Sequence, residues 1–458
     1  MKVIICGAGQ VGYGIAERLS QEDNDVSVID TSASLVNAIT ETLDVRGYVG
    51  HGAHPDILAK AGAEQADMII AVTLYDEVNI VACEVAQALF SVPTKIARIR
   101  AQSYLAPEYS NLFSRQNMSI DVTISPEIEV GKMVLRRISF PGATDIVRFA
   151  EDSIAMLAIE CMEDCPVLNT PLQQLSQLFP DLMATVVGIY RNGRLAVSRS
   201  ADQLEAGDLA YVICQRDHVR RTLGLFGHEE QEARRIIIAG GGNIGHYVAR
   251  TIEQLQPRTR LKIIETDRER AAAISEQLRN AVVLHGSALD QNILQQADVQ
   301  DADLFVSLTN SDQINILGAV MAKSLGCKSN LVLINSSSLN KVTQSLGIDA
   351  QINPRAVTIS RVLQHVRKGR IRSVYAVQQG SAEVIEAEAL ETSPLVGKPF
   401  RELDLPDGIR IGAIYRGGTV IRPSGDTKIK AHDRVVLFST AAAVKNVEQM
   451  FRVSIQYF

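Results

Sequence analysis

Gly7, Gly9 and Gly12 stand at G-x-G-x-x-G spacing within Gly7-Ala8-Gly9-Gln10-Val11-Gly12, directly after the apolar run Val3-Ile4-Ile5-Cys6. That spacing suits a strand that turns tightly into a helix beside a phosphate. The first glycine makes the turn, the second lets the backbone approach a pyrophosphate, and the third lets the helix lie against the strand. A helix starting there aims unpaired N–H groups at an anion. An acid follows at a fitting distance. Asp30 ends the run Val26-Ser27-Val28-Ile29, eighteen residues after Gly12. A carboxylate at that point accepts a hydrogen bond from a ribose 2′-hydroxyl and repels a 2′-phosphate, so the chemistry expected is binding of NAD(H) rather than NADP.

The set recurs. Gly240, Gly242 and Gly245 have the same spacing in Gly240-Gly241-Gly242-Asn243-Ile244-Gly245, and Glu265 closes Leu261-Lys262-Ile263-Ile264 twenty residues later. Thr73-Leu74 and Thr309-Asn310 follow the fourth strand expected in each half. Ligands of open parallel sheets bind outside the carboxyl ends of strands, so Thr73, Leu74 and Thr309 join the candidates, although a threonine there also caps the next helix. Arg98 and Arg100 close the strand expected over Lys95–Arg100. Period-two alternation puts both side chains on one face, where guanidinium forks take phosphate in bidentate fashion. Their counterparts are Leu333 and Asn335. The first half is therefore expected to be the better site for a phosphate-rich ligand. His51 and His285 recur at equivalent turns, where backbone hydrogen bonding is expected of them rather than acid–base work. Cys6 lies in a buried strand and is expected to be a core residue.

The elements that must hold these residues alternate. Helical stretches over Thr31–Leu43, Pro55 onward and Glu77–Phe90 separate strands at Val45–Val49, Ala66–Val72 and Lys95–Arg100, and Ser125-Pro126 opens a helix to about Ile138. Short connections between strands and helices argue a parallel doubly wound sheet. Ile146–Ile159 and Met183–Cys214 then alternate with period two, with turn signals at Arg191-Asn192-Gly193 and Glu205-Ala206-Gly207-Asp208, and read as a small β-rich unit. Gly224–Arg234 reads as a linker. The pattern then restarts. Gly7 and Gly240, like Gly12 and Gly245, are 233 residues apart, Ala66-Asp67 and Ala302-Asp303 are 236 apart, and Thr73 and Thr309 and Asn79-Ile80 and Asn315-Ile316 keep that offset. Pro126 matches Pro354, Ile189-Tyr190-Arg191 matches Ile414-Tyr415-Arg416, and Asp208 matches Asp433. The fold class expected is α/β, with two tandem Rossmann-like parallel-sheet domains, each followed by a small α+β C-terminal lobe.

Composition narrows the function. The 458 residues exceed a single core, the net charge of −6 gives no basic excess for nucleic acid, and 46% apolar with 21% charged residues is ordinary for a soluble chain. No apolar run approaches the ~18 residues of a membrane span. The six cysteines are scattered and complete no metal set, so reduced thiols are expected.

The duplicated layout, the opening Cys6–Gly12, the second glycine loop Gly240–Gly245 and the His51-Gly52 and His285-Gly286 turns with Asp56 and Asp290 resemble the TrkA family, regulatory subunits of bacterial Trk-type potassium uptake systems built from two RCK (KTN) units. The likeness covers essentially the whole chain. It implies N-terminal Rossmann-like domains at 1–124 and 233–352 and C-terminal domains at 140–224 and 370–455. It also implies binding of NAD(H) and of ATP or ADP, a homo-oligomeric ring of RCK domains (a tetramer), and docking on a potassium-translocating membrane subunit. The location implied is cytoplasmic, peripheral on the cytoplasmic face of the inner membrane. Two functions compete, an NAD-dependent dehydrogenase and a ligand-gated transport regulator. A dehydrogenase needs an acid–base group set against the nicotinamide. Neither β-rich lobe carries a His–carboxylate pair at a recognisable spacing, and both lobes are duplicated, which favours the regulator.

Overall fold

A computed structural model describes residues 1–451 apart from 23, 115–116, 180, 337–338, 340–342, 344 and 367–370. The domain ends expected at 370 and 455 lie outside the described residues. The described residues form two compact units, one from Met1–Val134 with Arg234–His365, the other from Leu135–Ala233 with Val366–Phe458.

In the first unit the apolar runs become parallel strands. β1 (Lys2–Cys6) pairs in parallel with β2 (Asp25–Asp30) on one side and β4 (Met68–Ala71) on the other. With β3 (Arg46–Val49), β5 (Thr94–Arg98) and β6 (Val122–Ile124) the order is β3-β2-β1-β4-β5-β6. The order reverses beside β1, which opens a crevice at the carboxyl ends of β1 and β4. Central parallel strands are covered by helices on both faces, hence unbroken apolar runs, and Ile5, Cys6, Ile69, Ile70 and Ala71 are fully buried. The connecting helices are α1 (Gln10–Ser20), α2 (Ala33–Thr42), α3 (Pro55–Lys60) and α4 (Asp76–Phe90). α1 buries Gly12, Ile15, Ala16 and Leu19, the i, i+3, i+4, i+7 stripe that faces a sheet. Helix α5 (Pro126–Ser139) leaves the sheet.

Two expectations need correction. The strand read over Lys95–Arg100 ends at Arg98, because the Asp76 carboxylate takes the N–H groups of Arg100 and Ala101 away from the ladder. β6 had no sequence signal, since three residues are too few for a period to show.

The second half of this unit repeats the first. Strands Val282–His285, Arg260–Glu265, Arg235–Ala239, Leu304–Ser307, Ser329–Leu333 and Ala350–Ile352 stand side by side in that order, and helix Pro354–Val366 corresponds to α5.

The second unit holds two five-stranded antiparallel sheets. Strands Ala143–Phe149, Ile154–Glu160, Leu209–Gln215, Ala184–Arg191 and Arg194–Val197 neighbour one another in that order. Ile371–Val377, Ala382–Glu388, Arg434–Thr440, Ile409–Arg416 and Thr419–Ile421 do the same. Asn192 and Gly193 both have positive φ (51° and 78°), the two-residue hairpin chemistry expected at Arg191-Asn192-Gly193. The aligned residues of the repeats are aligned in space. Arg191 grips buried Asp208 in bidentate fashion at 2.7 and 2.6 Å, and Arg416 grips Asp433 at the same two distances. Arg191→Ala would leave that carboxylate with the Glu205 N–H at 2.8 Å. With the guanidinium itself a third exposed, the expected loss is about 1–2 kcal/mol of lobe stability, read as a lower melting midpoint. An unchanged midpoint would show that the fork is a surface ornament.

Candidate functional site

The glycine loops are built as the sequence implies. Gly7 has φ of +111° and its N–H donates to Ile29 O at 2.8 Å, turning the chain off β1. A Cβ on Gly12 would sit 1.8 Å from Gly7 O, so only glycine lets α1 start there. Over Gly9 a Cβ would meet nothing within 4 Å, which leaves the approach to the loop open. Gly9 is also the N-cap of α1 and no side chain caps it, so the first-turn N–H groups stay available to an anion. Gly240 (φ +102°), Gly242 and Gly245 reproduce each feature, with Gly245 meeting Gly240 O at 1.9 Å and Gly242 open and uncapped.

The two acids are held in one way. Asp30 accepts from Ala8 N–H at 2.7 Å and from Ser32 N–H at 2.8 Å, one bond per oxygen. Glu265 accepts from Gly241 N–H at 2.7 Å and Asp267 N–H at 2.9 Å. Each carboxylate is thus fixed beside its glycine loop with lone pairs left for a sugar hydroxyl.

At the ends of the fourth strands, Thr73 and Thr309 are tied down. Thr73 donates its N–H and hydroxyl to Asn79 Oδ1 at 2.9 and 2.8 Å, and fully buried Asn79 donates on to Arg98 O at 2.9 Å. Thr309, Asn315 and Leu333 O form the same chain of bonds. Asp76 and Asp312 clamp the loop after the fifth strand through the N–H groups of residues 100–101 and 335–336. Asp76, Asn79 and Asn315 are buried and Asp312 is half-buried, and none of the four was among the sequence candidates. The recurrence of Asn79 as Asn315 was the signal that could have found them. Leu74 projects into solvent beside Tyr75 and Arg100, and Asn243 of the second glycine loop lines the same cleft of about 300 Å³. The corresponding cleft of the second half, about 530 Å³, is lined by Asn310, Ser311, Asp312, Gln313, Asn335, Ser336 and Leu339.

The arginines differ from expectation. Arg98 and Arg100 do not share a strand face, because the strand stops between them. Arg100 already has a partner, Glu127 of α5, at 2.9 Å. Arg98 is half-buried with an Nε–H that finds no acceptor, and burial, then the nearby Arg100 guanidinium, lower its proton affinity. A cation the sequence candidates did not include also reaches the first loop: Arg355, the second-half counterpart of Glu127, hydrogen-bonds to the Gln10 side chain. If an anion binds the first half, Arg98→Leu should weaken ATP binding about tenfold and flatten its salt dependence, while Arg100→Asn should cost much less because Glu127 already neutralises it. Salt-series titrations of the two variants check this, and equal losses would contradict the ranking.

The histidines serve turns. His51 Nδ1 accepts from Ala53 N–H at 3.4 Å, and His285 Nε2 bonds Thr266 O at 3.1 Å. Cys6 is core, and burial pushes its thiol up to about 12. All six cysteines are free and buried. Two His–carboxylate pairs do form in the second unit, His228–Glu230 at 3.0 Å and His432–Glu388 at 3.1 Å; the latter spans 44 residues, a separation no local spacing reveals. Among the described residues no acid, thiol and imidazole cluster could hold a metal, and no helix is long and apolar enough to cross a membrane.

Residues 3–126 and 236–354 match the TrkA-N domain, and 156–227 and 384–452 match the TrkA-C domain. A Trk system potassium uptake protein TrkA of Azorhizobium caulinodans is 58% identical over 458 residues, with both chains covered in full. Another from Halomonas elongata is 39% identical over 462 residues, again with both covered in full. The solved GsuK channel aligns with TM-score 0.62 at 17% identity, covering 98% of this chain and 78% of that one; the GsuK channel bound to NAD gives 0.60 at 18% with the same coverage. Fold and strand-end sites thus define a duplicated protein of the RCK fold, with Rossmann-type lobes each followed by an antiparallel lobe. The chain belongs to the TrkA family, and it is a regulatory component of a Trk potassium uptake system, not an enzyme.

Proposed function

We propose that the chain senses nucleotides and passes their occupancy to a Trk-type potassium-translocating membrane subunit. NAD(H) lies over Gly7–Gly12 with its pyrophosphate at the α1 N-terminus and its ribose on Asp30; ATP or ADP competes there. The observation that carries this is the fixed Asp30 carboxylate, bonded to Ala8 and Ser32 N–H, beside an uncapped helix start with open space above Gly9. Ala8, Gln10 and Val11 line the same turn. The second loop, with Gly240, Gly242, Asn243, Ile244, Gly245, Glu265 and Thr309, is a second site of weaker phosphate affinity, since Leu333 stands where the first half has Arg98. GsuK, which shares the fold, carries NAD in one structure, and that supports the ligand class.

Several chains assemble into a ring of RCK units on the cytoplasmic face of the inner membrane, a tetramer of this chain. Nucleotide changes the lobes' preferred arrangement, and the ring conveys it to the transporter. The ligand can move that balance only by its differential affinity for the two arrangements, about 1.4 kcal/mol per tenfold. Calorimetric titration of the full chain with NAD+, NADH, ATP and ADP, with the assembly mass measured in each state, tests the proposal. Saturable binding of at least one nucleotide is expected; absence of binding for all four would remove it.

A further inference from the structure

Within the first unit the two Rossmann-like halves touch through equivalent helices, and the residue sizes at the contact are distributed one-sidedly. In α1, a Cβ on Gly14 would stand 2.4 Å from Ile359 Cδ1 of helix Pro354–Val366. In α5, a Cβ on Gly131 would stand 2.3 Å from Tyr247 Cδ1 of helix Asn243–Leu255. The repeat makes these one contact seen twice. Gly14 corresponds to Tyr247 at the 233 offset of the glycine loops, and Gly131 to Ile359 at the 228 offset of Pro126 and Pro354. The first half therefore supplies both glycines and the second half both large side chains. Glycine inside a helix costs about 1 kcal/mol relative to alanine, so two helix-interior glycines that each receive a neighbour's side chain are there for the approach.

Charge follows the same division. The first turns of α5 carry Glu127 and Glu129, whereas helix Pro354–Val366 carries Arg355 and Arg361, and Arg361 faces Glu129 at 4.0 Å. The second unit lacks this one-sidedness at its glycine contacts. There Phe438 packs on Gly188 and Ile213 on Gly412, so each half gives one small and one large residue.

We infer that the Rossmann-like faces are coded for unlike pairing: a first half accepts a second half and rejects another first half, and the reverse holds for the second. Two first halves would oppose glycine to glycine at both contacts and leave voids, and Glu129 would face Met133, the counterpart of Arg361 at the 228 offset. Two second halves would drive tyrosine into isoleucine at both. At this contact the first site then always has a second half, with its Arg355, as neighbour.

The two forbidden contacts can be made inside the full chain. Gly14→Ile and Gly131→Tyr each create the large–large contact; Ile359→Gly and Tyr247→Gly each create the small–small one. Each single variant is expected to melt roughly 3–10 °C below the parent. The size exchanges Gly14→Ile with Ile359→Gly, and Gly131→Tyr with Tyr247→Gly, are expected to recover more than half of the larger single loss, although each also moves a glycine from one helix to another. Parent-like melting of Gly14→Ile and Gly131→Tyr, or exchanges that melt no higher than the worse single variant, would overturn the inference.

Discussion

Gly12→Ala is expected to unfold the first glycine loop, with a loss of about 4 kcal/mol or more from the first unit and no measurable nucleotide binding there. The methyl carbon would lie 1.8 Å from a backbone carbonyl oxygen of the strand-to-helix turn, and that oxygen cannot swing aside as a side-chain tip can. Overpacking ordinarily costs about 1–3 kcal/mol because neighbours adjust; here α1 must leave the sheet, along with Ile15, Ala16 and Leu19. Gly9→Ala is the contrast. Its backbone is extended (φ −66°, ψ −177°) and its Cβ meets nothing, so the fold should be kept. If a pyrophosphate crosses that position, its methyl occupies the ligand's space and affinity should fall while melting stays put. A Gly12→Ala protein that melts like the parent would contradict the packing account. A Gly9→Ala protein that binds normally would move the ligand elsewhere.

The second large effect is on affinity. Asp30→Ala is expected to weaken NADH binding roughly 10- to 100-fold, the worth of a hydrogen bond to a charged group, about 1.5–3 kcal/mol. Some of that arises indirectly, since Ala8 and Ser32 lose their shared acceptor and the loop loses its anchor. Asp30→Asn separates the two contributions: its one amide oxygen accepts, its NH2 does not, and the charge that excludes a 2′-phosphate is gone. Discrimination against NADPH should therefore shrink in both variants. Unchanged NADH affinity in Asp30→Ala would take the residue out of the site.

The parts legible in the sequence are those written at short range. A glycine spacing of two and three residues, an acid at the end of the next apolar run, and period-two and period-3.6 patterns each report on neighbours along the chain. The duplication made them legible twice, and it extended to Asp208 and Asp433, whose matching forks with Arg191 and Arg416 follow from the repeat alone. The illegible parts are set by groups that meet only after folding. Asp76 ends β5 from 24 residues away, so an arginine pair that alternation would place on one face is split between a strand end and a loop. Glu127 then occupies Arg100 across 27 residues, and Arg355 arrives at Gln10 from the other half of the chain. No local pattern marks such partners, though Glu127 and Arg355, at equivalent positions of two helices that both open on proline, carry opposite charge.

Potassium flux through a Trk-type membrane subunit reconstituted with this chain, followed as NADH or ATP is titrated, tests the central claim most directly. The account predicts a saturable change in flux for the parent. It predicts a midpoint for Asp30→Ala displaced by the same factor as its binding constant, because occupancy of the site sets the balance between the two arrangements. Flux that ignores both nucleotides, or an Asp30→Ala midpoint that stays with the parent while binding weakens, would contradict it.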